Sequence, residues 1–349
     1  MTTAVASRPQ LIRSRQRLSR SVLGLLAAAV IAVSLLLFAV TPLQGTADFV
    51  VFTGALYVVA QTALSGVLEG GRSARDRLAT TLAWTAFLIA LVPLVAVLGY
   101  TIARGSRRFD GAFFTHDLFN VDTGDPGGGA LHAIIGTLEQ VLMTTVLAVP
   151  LGVLVAVYLV EYGRGRLARG VGFVVDVLTG LPSIVAGLFL FALWIQVLHF
   201  GYSGFAGSLA LVVLMLPVVV RGTEEMFRLV PDSLREASLA LGVPRWRTIL
   251  KVVIPTALPG TVTAVMLAVA RVTGETAPLL LLVSVTDRVN GNPFSGHQEA
   301  LPLYVYQNAA QPASTAVDRA WAGALTLIVI VLVLTLLARL ITRRSQISR

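Results

Sequence analysis

Two ionisable residues interrupt an otherwise apolar stretch of this 349-residue chain. Arg271 and Glu275 stand four apart within about residues 256–283, with Gly274 between them and Pro278 a turn further on. That spacing stacks two side chains on one face of a helix. Counting about 1.5 Å per residue from Pro255 sets Arg271 near the middle of a hydrocarbon layer. A charge at that depth costs roughly 2.5–3.5 kcal/mol on insertion scales, so it needs a partner or a task. Two readings fit. The pair is an internal clamp between two helices, or a positive focus in a solvated path, partly neutralised by its own glutamate so that an anion is attracted without being trapped.

The remaining chemistry is sparse. Zero cysteines exclude disulfides, thiolate metal sites and thiol nucleophiles. The four histidines, His116, His132, His199 and His297, fall in loops or at span ends without metal-ligand spacing, and read as interfacial polar groups. Asp117, Asp122 and Asp125 lack the spacing of a calcium loop, and Gly201-Tyr202-Ser203-Gly204 has the wrong spacing for a nucleophile elbow. Gly127-Gly128-Gly129 reads as a turn before a helix. Lys251 is the only lysine and no glycine precedes it, so a standard nucleotide-binding loop is excluded.

The elements that hold these residues follow from composition. With 56% hydrophobic and 13% charged residues the chain has too little polar surface for a soluble globule. Apolar runs at 22–40, 49–68, 78–103, 140–160, 177–200, 202–220 and 320–338, with the charge-interrupted eighth at 256–283, are each near or above the length that crosses roughly 30 Å of hydrocarbon. Unpaired backbone groups are too costly in lipid, so the spans are helices. The expectation is an all-α polytopic membrane protein of about eight transmembrane helices. The net charge of +9 follows orientation and not nucleic acid: with both termini cytoplasmic, 21 of 27 basic residues lie on the inner face, Arg104, Arg107 and Arg108 being the local exception. The N-terminal run Arg8, Arg13, Arg15, Arg17 and Arg20 with the 19-residue apolar core after it reads as an uncleaved first span, since a signal-peptide core is usually about 7–15 residues. The polar link Glu69 to Arg77 marks a boundary, with 1–77 a cytoplasmic N-terminus and accessory hairpin, 78–341 a six-helix core, and 342–349 a cytoplasmic tail.

One polar loop, Arg221 to Lys251, carries six of the basic residues between two apolar runs. Pro231 to Leu241 has helix formers after a proline and a capping Asp232 or Ser233, and glycine follows where the chain must turn left-handed. A basic amphipathic helix from Pro244 then leads toward Pro255 and Pro259. The loop is therefore a helix-turn-helix elbow.

These residues carry a resemblance. Glu236-Ala237-Ser238, Gly242 four residues later, then Val252 and Ile254-Pro255 resemble the EAA motif of the permease subunits of binding-protein-dependent ABC importers, with its spacing kept and Ser238, Val252 and Ile254 replacing Ala, Ile and Leu. Arg271-Val272-Thr273-Gly274-Glu275-Thr276-Ala277-Pro278-Leu279 resembles the R-x-x-G-E-T-A-P-L signature of the PstA family, one of the two permeases of the phosphate-specific importer. Leu181 to Leu188, Pro217 to Glu224 and Val230 to Gly242 are similar to that family too, and the likeness runs from about Leu78 to the C-terminus. It implies a six-helix MetI-like permease core in the plasma or inner membrane with a coupling helix at about 231–251, and phosphate passing Arg271, Glu275 and Arg221. Glu236, Ala237, Ser238, Gly242 and Pro255 would serve ATPase coupling. The implied partners are a second permease (PstC-like), a dimer of ATPase subunits (PstB-like) holding ATP and Mg, and an extracytoplasmic phosphate-binding protein (PstS-like). No cofactor is expected on this chain. A permease for molybdate or sulfate is the alternative within the class. A stand-alone secondary transporter fits less well, because it would show several buried carboxylates for ion coupling.

Overall fold

The computed structural model describes residues 18–40 and 45–347. The arginines at 8, 13, 15 and 17, most of the short loop after the first span and the last two residues lie outside the described residues. The described residues form helices and loops without strands. Among the described residues seven helices are long and apolar enough to cross a membrane, and a bent pair makes up to eight.

Packing divides the chain within one long helix, at residue 98. In the first unit, α1 (Arg20–Val40) and α2 (Thr46–Leu68) form a hairpin, joined through Gly70 to α3 (Gly71–Gly105). Phe38 meets Phe49 edge-on at 5.2 Å. At the α2–α3 joint, buried Glu69 accepts two 2.6 Å hydrogen bonds from Arg77 and one of 2.7 Å from Ser65. Arg77 foremost, with Ser65, holds the Glu69 carboxyl down to about 2. This packing boundary and the polar link that suggested residue 77 answer to different features, one to contacts and the other to charge.

The second unit begins with the end of α3 and an irregular loop containing α4 (Gly111–Thr115). Its centre is three long helices, α5 (Leu131–Val157), α8 (Gly204–Arg228) and α11 (Ile254–Thr273), whose buried Ala148, Leu211, Met215, Val219, Val265 and Val269 form one apolar core. With no hydrophobic drive between helices in lipid, such contacts rest on small residues and close packing. Gly136 shows how close. A Cβ there would lie 1.9 Å from the Glu299 carbonyl oxygen, so only glycine lets α5 meet the segment before α13 (Leu301–Ala309). The last helix, α14 (Ser314–Ile347), packs on α11 and α13.

Two expected spans are broken. Residues 177–200 do not form one straight helix: α6 (Gly165–Thr179) and α7 (Ser183–Leu190, continued by π-helical turns to Val197) meet at 107°. Pro182 lacks an N–H and disfavours helical backbone at Leu181, so the chain must turn there. The run 256–283 ends at Thr273, where Gly274 caps α11 by donating to the Arg271 and Val272 carbonyls, and the short α12 (Ala277–Leu282) follows. Upstream, a π-helical turn at 249–253 joins α11 to the elbow, so the apolar helix there runs from Arg245 to Thr273.

The end of this bundle away from the elbow is held by polar groups. Arg319, in the first turns of α14, is 2% exposed. Its guanidinium donates to the carbonyls of Asp125 (2.9 Å), Gly127 (3.2 Å) and Thr123 (3.2 Å). The loop of Asp117, Asp122 and Asp125 and of the glycine turn is thus shaped around an arginine. His132 is buried against the Tyr304 ring and is not interfacial: the first turn of α5 packs inside the unit.

Glu299 is 2% exposed and its Oε1 has no hydrogen-bond partner among the described residues. Burial pushes its carboxyl up from 4.5 to about 8. An unfolded chain releases this proton near 4.5, whereas the folded protein holds it to about 8. Stability is therefore complete at low pH and declines across that window. In detergent, Glu299→Gln should unfold at a higher temperature than wild type at pH 8.5, with the gap closing toward pH 4.5. A gap independent of pH would show that the carboxyl is not titrating there.

Candidate functional site

The elbow is built by backbone rules. α9 (Asp232–Ala240) follows Pro231, whose extended backbone occupies the capping position, so Asp232 is the first helical residue and not a side-chain cap. Its carboxylate instead accepts from Arg235 Nη1 at 3.0 Å. α9 ends where Gly242 adopts φ +75°, the left-handed region that L side chains avoid. The Gly242 N–H donates to the Leu239 carbonyl and that of Val243 to Ser238, closing the turn. The chain then enters α10 (Arg245–Thr248) and passes through the π-helical turn into α11, with Pro255 in its first turn.

Of the motif residues, Glu236, Ala237 and Gly242 are exposed. Around them stand exposed apolar side chains, Leu234, Leu239, Leu241 at 83% and Trp246 at 54%. An apolar patch rimmed by charge marks a surface for a partner. Ser238 points the other way. Its hydroxyl lies 2.9 Å from that of buried Thr248, pinning α9 to α10, a bond that the motif's usual alanine cannot make.

Arg221 lies on α8 and faces α6. It donates to Glu224 at 2.5 Å, to Asp176 at 2.5 Å and to the Gly172 carbonyl at 3.1 Å. Glu224, 5% exposed, accepts from Arg228 as well. Sequence reading missed Asp176 and Glu224: Asp176 is 45 residues away, and only the bend after α6 turns it toward Arg221. Beside Arg221 a cavity of about 540 Å³ opens between α8 and α11, lined also by Thr179, Glu225, Gly260, Thr263 and Leu267. Arg271 lies four residues beyond Leu267, on the same face of α11.

Arg271 and Glu275 do not share a helix face, because α11 stops between them. Arg271 Nε lies 4.0 Å from Glu275 Oε1, the arginine side chain 57% and the glutamate 20% exposed. The guanidinium has no other side-chain partner among the described residues. An open, singly attended cation does not clamp two spans. The structure brings Arg221 and Arg271 to one helix pair, and sets Glu236, Ala237, Ser238 and Gly242 apart from them in the elbow.

Long apolar helices joined through such an elbow are the features of a membrane permease, and the profile of the family described as "Binding-protein-dependent transport system inner membrane component" matches residues 148–347. The phosphate transport system permease protein PstA 1 of Mycobacterium tuberculosis H37Rv is 50% identical over 280 residues, 79% of this chain and 91% of that protein. PstA of Pasteurella multocida is 39% identical over 273 residues, 77% of this chain and 95% of its own length. The chain belongs to the binding-protein-dependent transport permeases, in their PstA branch. A crystal structure of a bacterial ABC transporter involved in the import of the acidic polysaccharide alginate shares the fold, with a TM-score of 0.56 at 16% identity over 77% of this chain and 98% of that one.

Replacing Ser238 by alanine restores the common motif residue yet leaves the Thr248 hydroxyl without its partner. It should loosen the elbow by about 1 kcal/mol, seen as faster exchange of the Val243 amide hydrogen. Unchanged exchange would show that the hydroxyl pair does not hold the turn.

Proposed function

We propose that this chain is a transmembrane permease subunit of an ATP-driven importer of inorganic phosphate, working with a second permease, an ATPase dimer and an external binding protein. The observation that carries the proposal is the pairing of two arginines on the α8–α11 face with an elbow whose apolar side chains lie exposed. The names of the PstA relatives support phosphate as the cargo. Inorganic phosphate carries roughly one to two negative charges at neutral pH and presents several acceptor oxygens, and the fork of a guanidinium matches that geometry. Arg271, held by one carboxylate at 4.0 Å, keeps donors free for an anion, and Glu275 limits how tightly the anion is held. Arg221 is engaged by Asp176 and Glu224, so an anion reaching it must compete with two carboxylates. Glu236, Ala237, Gly242 and the apolar rim form the ATPase-docking face, Ser238 bracing it from within and Pro255 opening the span that receives its movement. ATP and Mg belong to the ATPase. The elbow and both termini face the cytoplasm, and residues 1–77 are an accessory segment on a core from 78 to 341.

In vesicles reconstituted with the partner subunits, Arg271→Gln with Glu275→Gln should assemble normally and lose most phosphate uptake. The arginine is exposed, so no buried charge is stranded. Wild-type uptake per assembled complex would remove Arg271 from the path. Gly242→Val forces a β-branched residue into left-handed backbone at about 1–2 kcal/mol. It should insert in the membrane and fail to retain the ATPase through purification. Stoichiometric ATPase in the purified complex would show that the elbow is not the docking element.

A further inference from the structure

In the elbow, no side chain of α9 is buried. Something must nevertheless tie it to the spans if its movement is to do work. The bundle end beneath it is firm: Ala156 of α5, Phe227 and Val230 at the end of α8, and Val253 and Ala257 around the start of α11 form one buried cluster. Two residues at the end of α5 reach from this cluster into the elbow. They lie in a π-helical turn at 158–162 that follows α5.

The first is Glu161, 5% exposed, whose Oε1 accepts from Arg235 Nε at 3.0 Å. Arg235 also donates to the carbonyls of Val230 (2.6 Å) and Phe227 (2.8 Å), where α8 ends, and to Asp232 (3.0 Å). One guanidinium thus joins α5, α8 and α9. The second is Tyr162, whose ring carries the Arg245 guanidinium of α10 at 5.3 Å. Consecutive residues of one span hold both halves of the elbow. A planar group with five fixed donors transmits displacement better than a flexible ammonium, because its acceptors fix its orientation as well as its position.

We propose that Glu161 and Arg235, steadied by Tyr162 and Arg245, form the joint through which movement of the elbow is carried into α5. Both are positioning residues, and the proposal rests on the reading of the elbow as an ATPase-docking element. Glu161→Leu cuts only the link from Arg235 to α5, because Arg235 keeps three acceptors, Tyr162 keeps Arg245 and the elbow keeps its fold. Glu161→Gln retains the acceptor oxygen.

The test measures phosphate uptake and ATP hydrolysis together in vesicles holding the complete complex. Glu161→Leu should hydrolyse ATP while phosphate moved per ATP falls roughly tenfold, within the range by which residues in a coupling network alter linkage between sites. Glu161→Gln should recover most of that ratio. If Glu161→Leu does not assemble, Arg235→Lys is read the same way, and its ratio should fall because an ammonium cannot meet all four acceptors. A wild-type ratio in the assembled variant, or a parallel fall of uptake and hydrolysis that leaves the ratio unchanged, overturns the joint. A wild-type complex that moves no phosphate overturns the transport reading and the joint with it.

Discussion

A guanidinium cannot shed its charge, so every arginine close to hydrocarbon must be given acceptors, and much of this architecture is the means of supplying them. Arg77 takes both oxygens of Glu69 at the joint of α2 and α3. Arg319 gathers three backbone carbonyls and thereby folds the loop that covers it. Arg235 takes two carbonyls at the place where α8 ends. Arg221 draws Asp176 across from α6, which the 107° bend makes possible. Against these, Arg271 is poorly attended, with a single carboxylate at 4.0 Å and more than half its side chain exposed. The contrast is between cations whose donors are taken up inside the bundle and one whose donors stay largely open.

The same requirement explains what the sequence made legible. Hydropathy located the spans and the elbow, because length, apolarity and a left-handed glycine are local properties. The family resemblance rested on local spacing as well, and the PstA relatives agree with it. Partners of buried charges were not legible. Glu161 and Arg235 are 74 residues apart, and Arg319 reaches Asp125 over 194, so no window contains both ends of either contact. The spacing of Arg271 and Glu275 misled in the opposite way. Four residues implies a shared face only if the helix continues, and Gly274 ends it.

Breaks in helices recur where the chain meets a polar task. The turn at Gly180 to Pro182 aims α6 at Arg221, the stop at Gly274 frees Arg271, and π-helical turns adjoin the elbow on both sides, at 158–162 and 249–253. A π turn inserts a residue relative to the regular ladder and often marks a functional position within a helix. Here the first turn places Glu161 against Arg235, and the second folds Val253 into the cluster under the elbow.

Gly242 shows what kind of restriction sets the angle of the elbow. A Cβ built there would meet no atom within 4 Å, so space is not limiting, and the whole demand lies in φ +75°. The restriction is therefore one of handedness. A residue of opposite chirality would occupy that backbone conformation without strain and project its methyl group into open surroundings, whereas its natural mirror image would not. The demand that the bend makes at this position is one of backbone handedness and not of space.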